Sequence, residues 1–168
     1  MISYILATLV GLIIIAADQY TKHLVTQNMI LGGESVPFID GFIEFFYIHN
    51  EGGAWGFLEG NTWILISITV LAMLVCLTLI VRHGIENKIL FWALSLVLAG
   101  GIGNLIDRVL RGGKVVDFLN FQFIDFPVFN IADIAVCVGV GLLFLYFILD
   151  TIKDRAARKH AHKEDGEV

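Results

Sequence analysis

The charged side chains of this sequence sit at the ends of its apolar runs or between them, and none lies near the middle of one. Asp18 closes the first run and Lys22 follows four residues later. Asn104 and Arg108 are four apart at the end of the third run, and Asn130 and Asp133 are three apart at the start of the fourth. Residues at those spacings share one face of a helix. Asp117 lies in the connection between the third and fourth runs. Ionisable groups are costly inside a bilayer and mark functional sites there. A pump or channel needs them along its whole depth. Polar groups gathered at one edge point instead to a site entered from one leaflet.

The residue types narrow the chemistry. No histidine falls inside an expected span, and Ser67 and Ser95 have no base near them, so a serine–histidine protease is disfavoured. The five histidines are scattered and HExxH is absent, which leaves a zinc protease without ligands. Carboxylates remain. Two held close together share one proton, because both cannot ionise at short range. The ionised one activates water, and the protonated one polarises a carbonyl and protonates the leaving amine. That is amide hydrolysis of the aspartic type. Asp18, Asp107, Asp117, Asp125 and Asp133 are the candidates. Spacing favours Asp117 with Asp133, leaves Asp18 as a rival, and reads Asp107 as neutralising Arg108 and Asp125 as facing water.

Four apolar segments must position these groups. They run from Met1 to about Tyr20, from Asn61 to Val81, from Ile89 to Ile106, and from about Asn130 to Leu149. A span needs roughly 20 residues, and the second, with its uncharged ILISITVLAMLVCLTLIV, is the clearest. Hydrophobic residues make up 57% of the chain and charged ones 16%, more apolar surface than a soluble protein of 168 residues can hide. The expectation is an all-α membrane protein with four transmembrane helices. Met1 to Ala17 lacks a basic start and an A-x-A site, and is read as a retained helix. Cys76 and Cys137 lie in apolar runs and read as small hydrophobes. No basic patch interleaved with aromatics supports nucleic-acid binding.

Lysine and arginine set the orientation. Arg82 and Lys88 flank the second turn, and the C-terminal segment holds Lys153, Arg155, Arg158, Lys159 and Lys163. Both ends are therefore expected in the cytoplasm, with Asp18–Gly60 and Asp107–Phe129 outside. Arg108, Arg111 and Lys114 lie on the outer side against the rule, which suggests a local role. The first outer segment is aromatic and glycine-rich. A strand is expected over Phe42–Ile48, with a turn at Asn50–Gly53, as part of a small sheet at the outer surface. Trp55, Phe57 and Trp63 suit the interfacial aromatic belt. Pro127 marks a break before the fourth helix, and Asn130 is its expected N-cap. The layout is one catalytic unit over 1–150, with outer parts at about 30–60 and 108–129, and a charged cytoplasmic tail over 151–168.

Five pieces in this order carry a resemblance: DQYTK at Asp18–Lys22, NEGGAWG at Asn50–Gly56, GGIGNLIDR at Gly100–Arg108, VVDF at Val115–Phe118 and FPVFNIAD at Phe126–Asp133. With the four helices, the chain up to Leu149 closely resembles the lipoprotein signal peptidases, the signal peptidase II family of bacterial inner-membrane aspartic proteases. The resemblance implies removal of signal peptides from prolipoproteins just before a cysteine that carries diacylglycerol. It implies catalysis by Asp117 and Asp133, with Asp18, Lys22, Asn50, Gly52, Asn104, Arg108 and Asn130 lining or supporting the site. It also implies an outward-facing site in the cytoplasmic membrane beside phospholipid, inhibition by the cyclic peptide globomycin, and no metal or cofactor. Where the family reads N-x-G-A-A-F, this chain has Gly53 for the first alanine and Trp55 for phenylalanine, which bears on how the outer loop closes.

Overall fold

The computed structural model describes residues 2–53, 56–83 and 87–164. Four helices carry the fold: α1 (Ile2–Asn28), α2 (Thr62–His83), α3 (Lys88–Leu110) and α4 (Ile131–Glu164). Each is long and apolar enough to cross a membrane, and α2 has the highest mean hydropathy at 3.0. Three strands, β1 (Val36–Ile39), β2 (Ile43–Asn50) and β3 (Val115–Phe121), form an antiparallel sheet in the order β1-β2-β3. The architecture is thus an all-α membrane fold with a small β subdomain at one end.

Two helices run further than the hydropathy pattern suggests. α1 continues eight residues past Tyr20, so Lys22 and His23 lie within the helix rather than in an outer loop. His23 is exposed and turned away from the polar cluster. α4 continues as one helix from Leu149 to Glu164. Its 34 residues span about 50 Å at about 1.5 Å each, well beyond a hydrocarbon core of about 30 Å.

α3 is the central helix and packs against α1, α2 and α4. Glycines make its contact with α4 possible. A Cβ at Gly100 would collide with the Ala132 carbonyl and Val136 of α4, and one at Gly103 would lie 2.8 Å from Asp18 Oδ2. Small residues let helix backbones approach in a membrane, where no hydrophobic force between helices substitutes for contact. Gly101 faces the flexible Met73 side chain at 3.4 Å instead. Gly100→Leu is therefore expected to destabilise by about 2–3 kcal/mol through overpacking, with Gly101→Ala close to neutral. Thermal unfolding of the detergent-solubilised protein measures both, and equal melting points would discount the glycine contact.

An apolar cluster of Ala7, Cys76, Ile80, Leu90, Phe91 and Leu94 joins α1, α2 and α3 away from the sheet. Ser95 Oγ donates to the Phe91 carbonyl within α3 at 2.8 Å, an ordinary helical role. A second cluster, Val25, Tyr47, Val116 and Phe118, fastens the sheet to the end of α1.

The sheet is wider than the single strand foreseen. An Asp40–Gly41 turn closes β1 on β2, with the Phe42 N–H donating to the Ile39 carbonyl at 3.0 Å and Gly41 at φ +70°. The second outer segment supplies β3, in register with β2 at Ile48↔Asp117 and Asn50↔Val115. Phe129 pairs with the free edge of β3, exchanging hydrogen bonds with Leu119 at 2.8 and 2.9 Å. That pairing fixes the start of α4 against the strand that carries Asp117. Phe57 and Trp63 are both largely exposed, as interfacial aromatics would be, while Trp55 lies outside the described residues.

Candidate active site

Asp117 and Asp133 line one cavity of about 470 Å³ between the sheet, α3 and the start of α4. Asn50, Gly53, Asn104 and Arg108 share its polar end. Its other walls are apolar, from Phe121, the Phe126–Phe129 strap and the α4 residues Ile134, Cys137 and Val138. The polar groups therefore meet at the head of a pocket whose flank continues down a membrane helix.

Each aspartate is held by amide donors. Asn130 Nδ2 donates to Asp117 Oδ1 at 2.6 Å, and Asn50 Nδ2 donates to Asp117 Oδ2 at 2.8 Å. Asn104 Nδ2 donates to Asp133 Oδ1 at 2.7 Å, and the backbone N–H of Asn130 donates to Asp133 Oδ2 at 3.0 Å. Every carboxylate oxygen thus has one fixed donor. A carboxylate offers about four lone-pair sites, so each oxygen keeps one for a proton, a water or a substrate amide.

Asn130 is the hub. It is fully buried, and its Nδ2 also reaches Asn104 Oδ1 at 3.0 Å. Its Oδ1 accepts from the Asp133 N–H at 3.0 Å, so Asn130 and Asp133 cap α4 reciprocally. Asp133 is in this sense part of a helix cap as well as of the cavity. Asn50 Oδ1 in turn accepts from the N–H groups of Gly52 and Gly53 at 3.1 and 2.8 Å. Gly52 leaves no room for a side chain, since a Cβ there would lie 2.6 Å from Gly56 Cα.

Burial pushes the Asp117 carboxyl up to about 7, and the nearby charge of Asp133 adds to the effect. The amide bonds from Asn50 and Asn130, and the charge of Lys22, work in the opposite direction and do not prevail. A carboxyl that titrates near neutral pH, beside a second one, is suited to holding a proton in a shared pair.

The remaining predicted residues sit differently from their sequence reading. Asp18 and Lys22 pair at 2.9 Å, and both are fully buried. Neither lines the cavity. Asp107 acts on its neighbour Arg108 by charge alone and makes its ion pairs elsewhere. It is fully buried, bonded to Lys22 at 2.9 Å and to Arg111 at 3.2 Å. The i,i+4 spacing of Asp107 and Arg111 was the available signal for that pair. Arg108 reaches the cavity, where Asp133 and Asp117 act on it by charge, and its buried Nε has no hydrogen-bond partner among the described residues. Asp125 is exposed. The outer-side cations are thus engaged locally: Arg111 with Asp107, and Lys114 with Glu51 at 2.6 Å. Gln19 went unnoticed in the sequence, although it donates to Asp18, to the Gly103 carbonyl and to Asp107.

This arrangement has known counterparts. The family model for signal peptidase (SPase) II matches residues 10–149. The chain belongs to the signal peptidase II family. A lipoprotein signal peptidase of Bacillus pumilus is 44% identical over 149 residues, covering 88% of this chain and 95% of the relative. That of Shouchella clausii is 46% identical over 144 residues, covering 86% and 93%. A bacterial membrane enzyme solved by the in meso method superposes with a TM-score of 0.80 at 33% identity, covering 86% of this chain and 88% of that one. As a member of the family the chain is an aspartic-type peptidase embedded in the membrane by several passes. The matched residues 10–149 include the three strands and most of the four helices.

Proposed function

We propose that this signal peptidase II removes the signal peptide from prolipoproteins whose cysteine already carries diacylglycerol, cutting the amide just before that cysteine at the outer face of the membrane. The observation that carries the reading is the pair of buried carboxylates, Asp117 and Asp133, each held by amide donors at the head of one largely apolar cavity. On this reading the two aspartates share one proton. The ionised carboxylate takes a proton from water, and the resulting hydroxide adds to the scissile carbonyl carbon. The protonated carboxyl donates a hydrogen bond to the carbonyl oxygen as negative charge develops there. Collapse of the tetrahedral adduct breaks the C–N bond, and a carboxyl proton goes to the leaving amine of the cysteine.

Lipid anchorage delivers the bond at the right depth. Each buried CH₂ of an acyl chain contributes about 0.8 kcal/mol, so two chains hold the cysteine at the leaflet surface where the carboxylates lie. The apolar flank formed by Ile134, Cys137 and Val138 lines the same cavity as the carboxylates and offers a surface for acyl chains. Asn50, Gly52, Asn104 and Asn130 hold the carboxylates in place, and Arg108 supplies positive charge at the cavity wall. Asp18 and Lys22 support the site from behind. Residues 1–150 act as one catalytic unit. Residues 151–168 form the charged cytoplasmic extension, of which 151–164 continues α4. The lysine and arginine distribution places both termini in the cytoplasm.

The test uses purified protein in lipid–detergent bicelles, with a diacylglyceryl-modified prolipoprotein and the same precursor without lipid. Signal-peptide release from the modified form alone, and its inhibition by globomycin, is the expected result. Equal cleavage of both precursors would remove the lipid requirement. Cleavage of neither by folded protein would overturn the reading.

A further inference from the structure

Behind the cavity three charged side chains, Asp18, Lys22 and Asp107, are each fully buried and in contact. None lines the cavity. Their hydrogen bonds have a common pattern. Asp18 Oδ1 accepts from the backbone N–H of Ala132 at 3.0 Å, one residue before Asp133. Asp107 Oδ2 accepts from the backbone N–H of Val116 at 3.1 Å, one residue before Asp117. Lys22 Nζ joins the two carboxylates, 2.9 Å from each Oδ2. Gln19 Nε2 bridges them a second time, at 3.1 Å to Asp18 and 3.3 Å to Asp107.

We propose that Asp18, Lys22 and Asp107 form a caliper that sets the separation of Asp117 and Asp133. Each arm grips the main chain next to one aspartate, and Lys22 with Gln19 closes the hinge between the arms. Lys22 also fixes a third element. Its bond to Asn104 Oδ1 at 3.1 Å leaves the Asn104 amide N–H₂ for Asp133. α1 thereby positions both aspartates without touching substrate. The inference rests on reading Asp117 and Asp133 as the catalytic pair, and it adds Asp107 and Gln19 as positioning residues.

A stabilising role alone does not require this pattern. A buried cluster whose charges cancel, here Asp18 and Asp107 against Lys22 and Arg111, is often replaceable by well-packed apolar groups. The two backbone bonds satisfy buried N–H groups, and because each lies one residue from an aspartate of the pair they also fix where that aspartate stands. Strands and helix starts transmit such shifts directly, and a displacement of about 1 Å can lower a rate by about 100-fold.

The test compares Asp107→Glu with Asp107→Asn in the full-length protein, with rates normalised to the folded fraction. Glutamate keeps the charge and lengthens one arm by a methylene. Asparagine removes the charge and keeps the arm's length, with Oδ1 turned to Lys22 and Val116; the amide then faces Arg111 and Gln19, whose bonds to Asp107 are given up while Gln19 keeps those to Asp18 and the Gly103 carbonyl. The caliper predicts that Asp107→Glu lowers kcat by about 100-fold, leaves KM for the lipidated precursor within about threefold, and loses more kcat than Asp107→Asn. The alkaline limb of its kcat profile should move to lower pH, because a wider pair repels less. The charged groups facing the pair, Lys22 and Asp18 from α1 and Arg108 from α3, are unchanged in both variants.

A purely electrostatic or stabilising role predicts the reverse order, with Asp107→Glu at least as active as Asp107→Asn, and that result overturns the proposal. If Asp107→Glu does not fold, Asp18→Glu against Asp18→Asn makes the same comparison on the other arm. Failure of both glutamate variants to fold would also overturn it, since the cluster would then be holding the fold. The parent and Asp133→Asn are assayed alongside. A parent that cleaves and an Asp133→Asn that does not keep the catalytic reading intact whichever way the caliper falls. Turnover by Asp133→Asn would remove that reading and the caliper with it.

Discussion

Asp117→Asn and Asp133→Asn are each expected to lower kcat by about 10²–10⁴-fold, the range for losing a positioned general acid–base. At about 1.36 kcal/mol per tenfold, that is roughly 2.7–5.4 kcal/mol of transition-state stabilisation. Binding of the lipidated precursor should persist, because the apolar flank and the leaflet hold the lipid. An amide at 117 or 133 can accept a hydrogen bond but cannot cycle a proton. The double variant should be no worse than the poorer single one, as happens when two groups act as a unit. The pH dependence has a definite sign. Asp117 titrates near 7 because it is buried beside Asp133. The pair works while it holds one proton, so kcat should fall as pH rises through about 7 and the last proton leaves. A single-turnover assay with trapped enzyme–precursor complex separates binding from chemistry. Unimpaired turnover by either single variant would dismiss that residue from the reaction.

How legible this site was depends on which link of the chain is asked about. The spans were readable because hydrocarbon demands long apolar helices and nothing else in the sequence imitates them. Their ends were not. α1 was expected to end near Tyr20, where its apolar run gives way to polar residues. In the fold Lys22 is fully buried because Asp18, Asp107 and Asn104 all reach its Nζ. A partner in α3 is invisible to hydropathy in α1. The strand over Phe42–Ile48 was foreseen from its aromatic and β-branched residues, and it runs as Ile43–Asn50. β3 was not assigned as a strand from the sequence, although its segment resembles the first outer one in aromatics and β-formers, and its run VVDFLNF carries an acid in its middle. That acid is Asp117, and the interruption of the apolar pattern is where the chemistry lies. The same holds for Asp107, which adjacency assigned to Arg108. Helix geometry points neighbours in different directions and sets Asp107 against Arg111, one turn on.

Asn130 should be the most sensitive residue outside the aspartates, and two substitutions divide its roles. It caps α4 through Oδ1 and holds Asp117 and Asn104 through Nδ2. Asn130→Ala removes both functions. Loss of a cap costs about 1 kcal/mol, and an uncompensated hydrogen bond to a charged group adds about 1.5–3 kcal/mol. A clear fall in melting point and a fall in kcat of about 100-fold are expected together. Asn130→Ser keeps an oxygen that can accept from the Asp133 N–H, and serine is among the best N-caps. It has no amide to reach Asp117. Thermal stability should therefore rise above that of Asn130→Ala by the cap's contribution of about 1 kcal/mol, while kcat stays low. The remaining activity should carry its own mark. An amide donor to a carboxylate favours the ionised form. Its loss raises Asp117 further, and the alkaline limb of kcat should move to higher pH. Recovery of both stability and kcat in Asn130→Ser would mean that Asn130 serves as a cap alone. The hydrogen bond at 2.6 Å to Asp117 would then have no part in catalysis. Recovery of stability alone, with the displaced limb, would place the amide of Asn130 in the machinery that keeps Asp117 ready to exchange its proton near neutral pH.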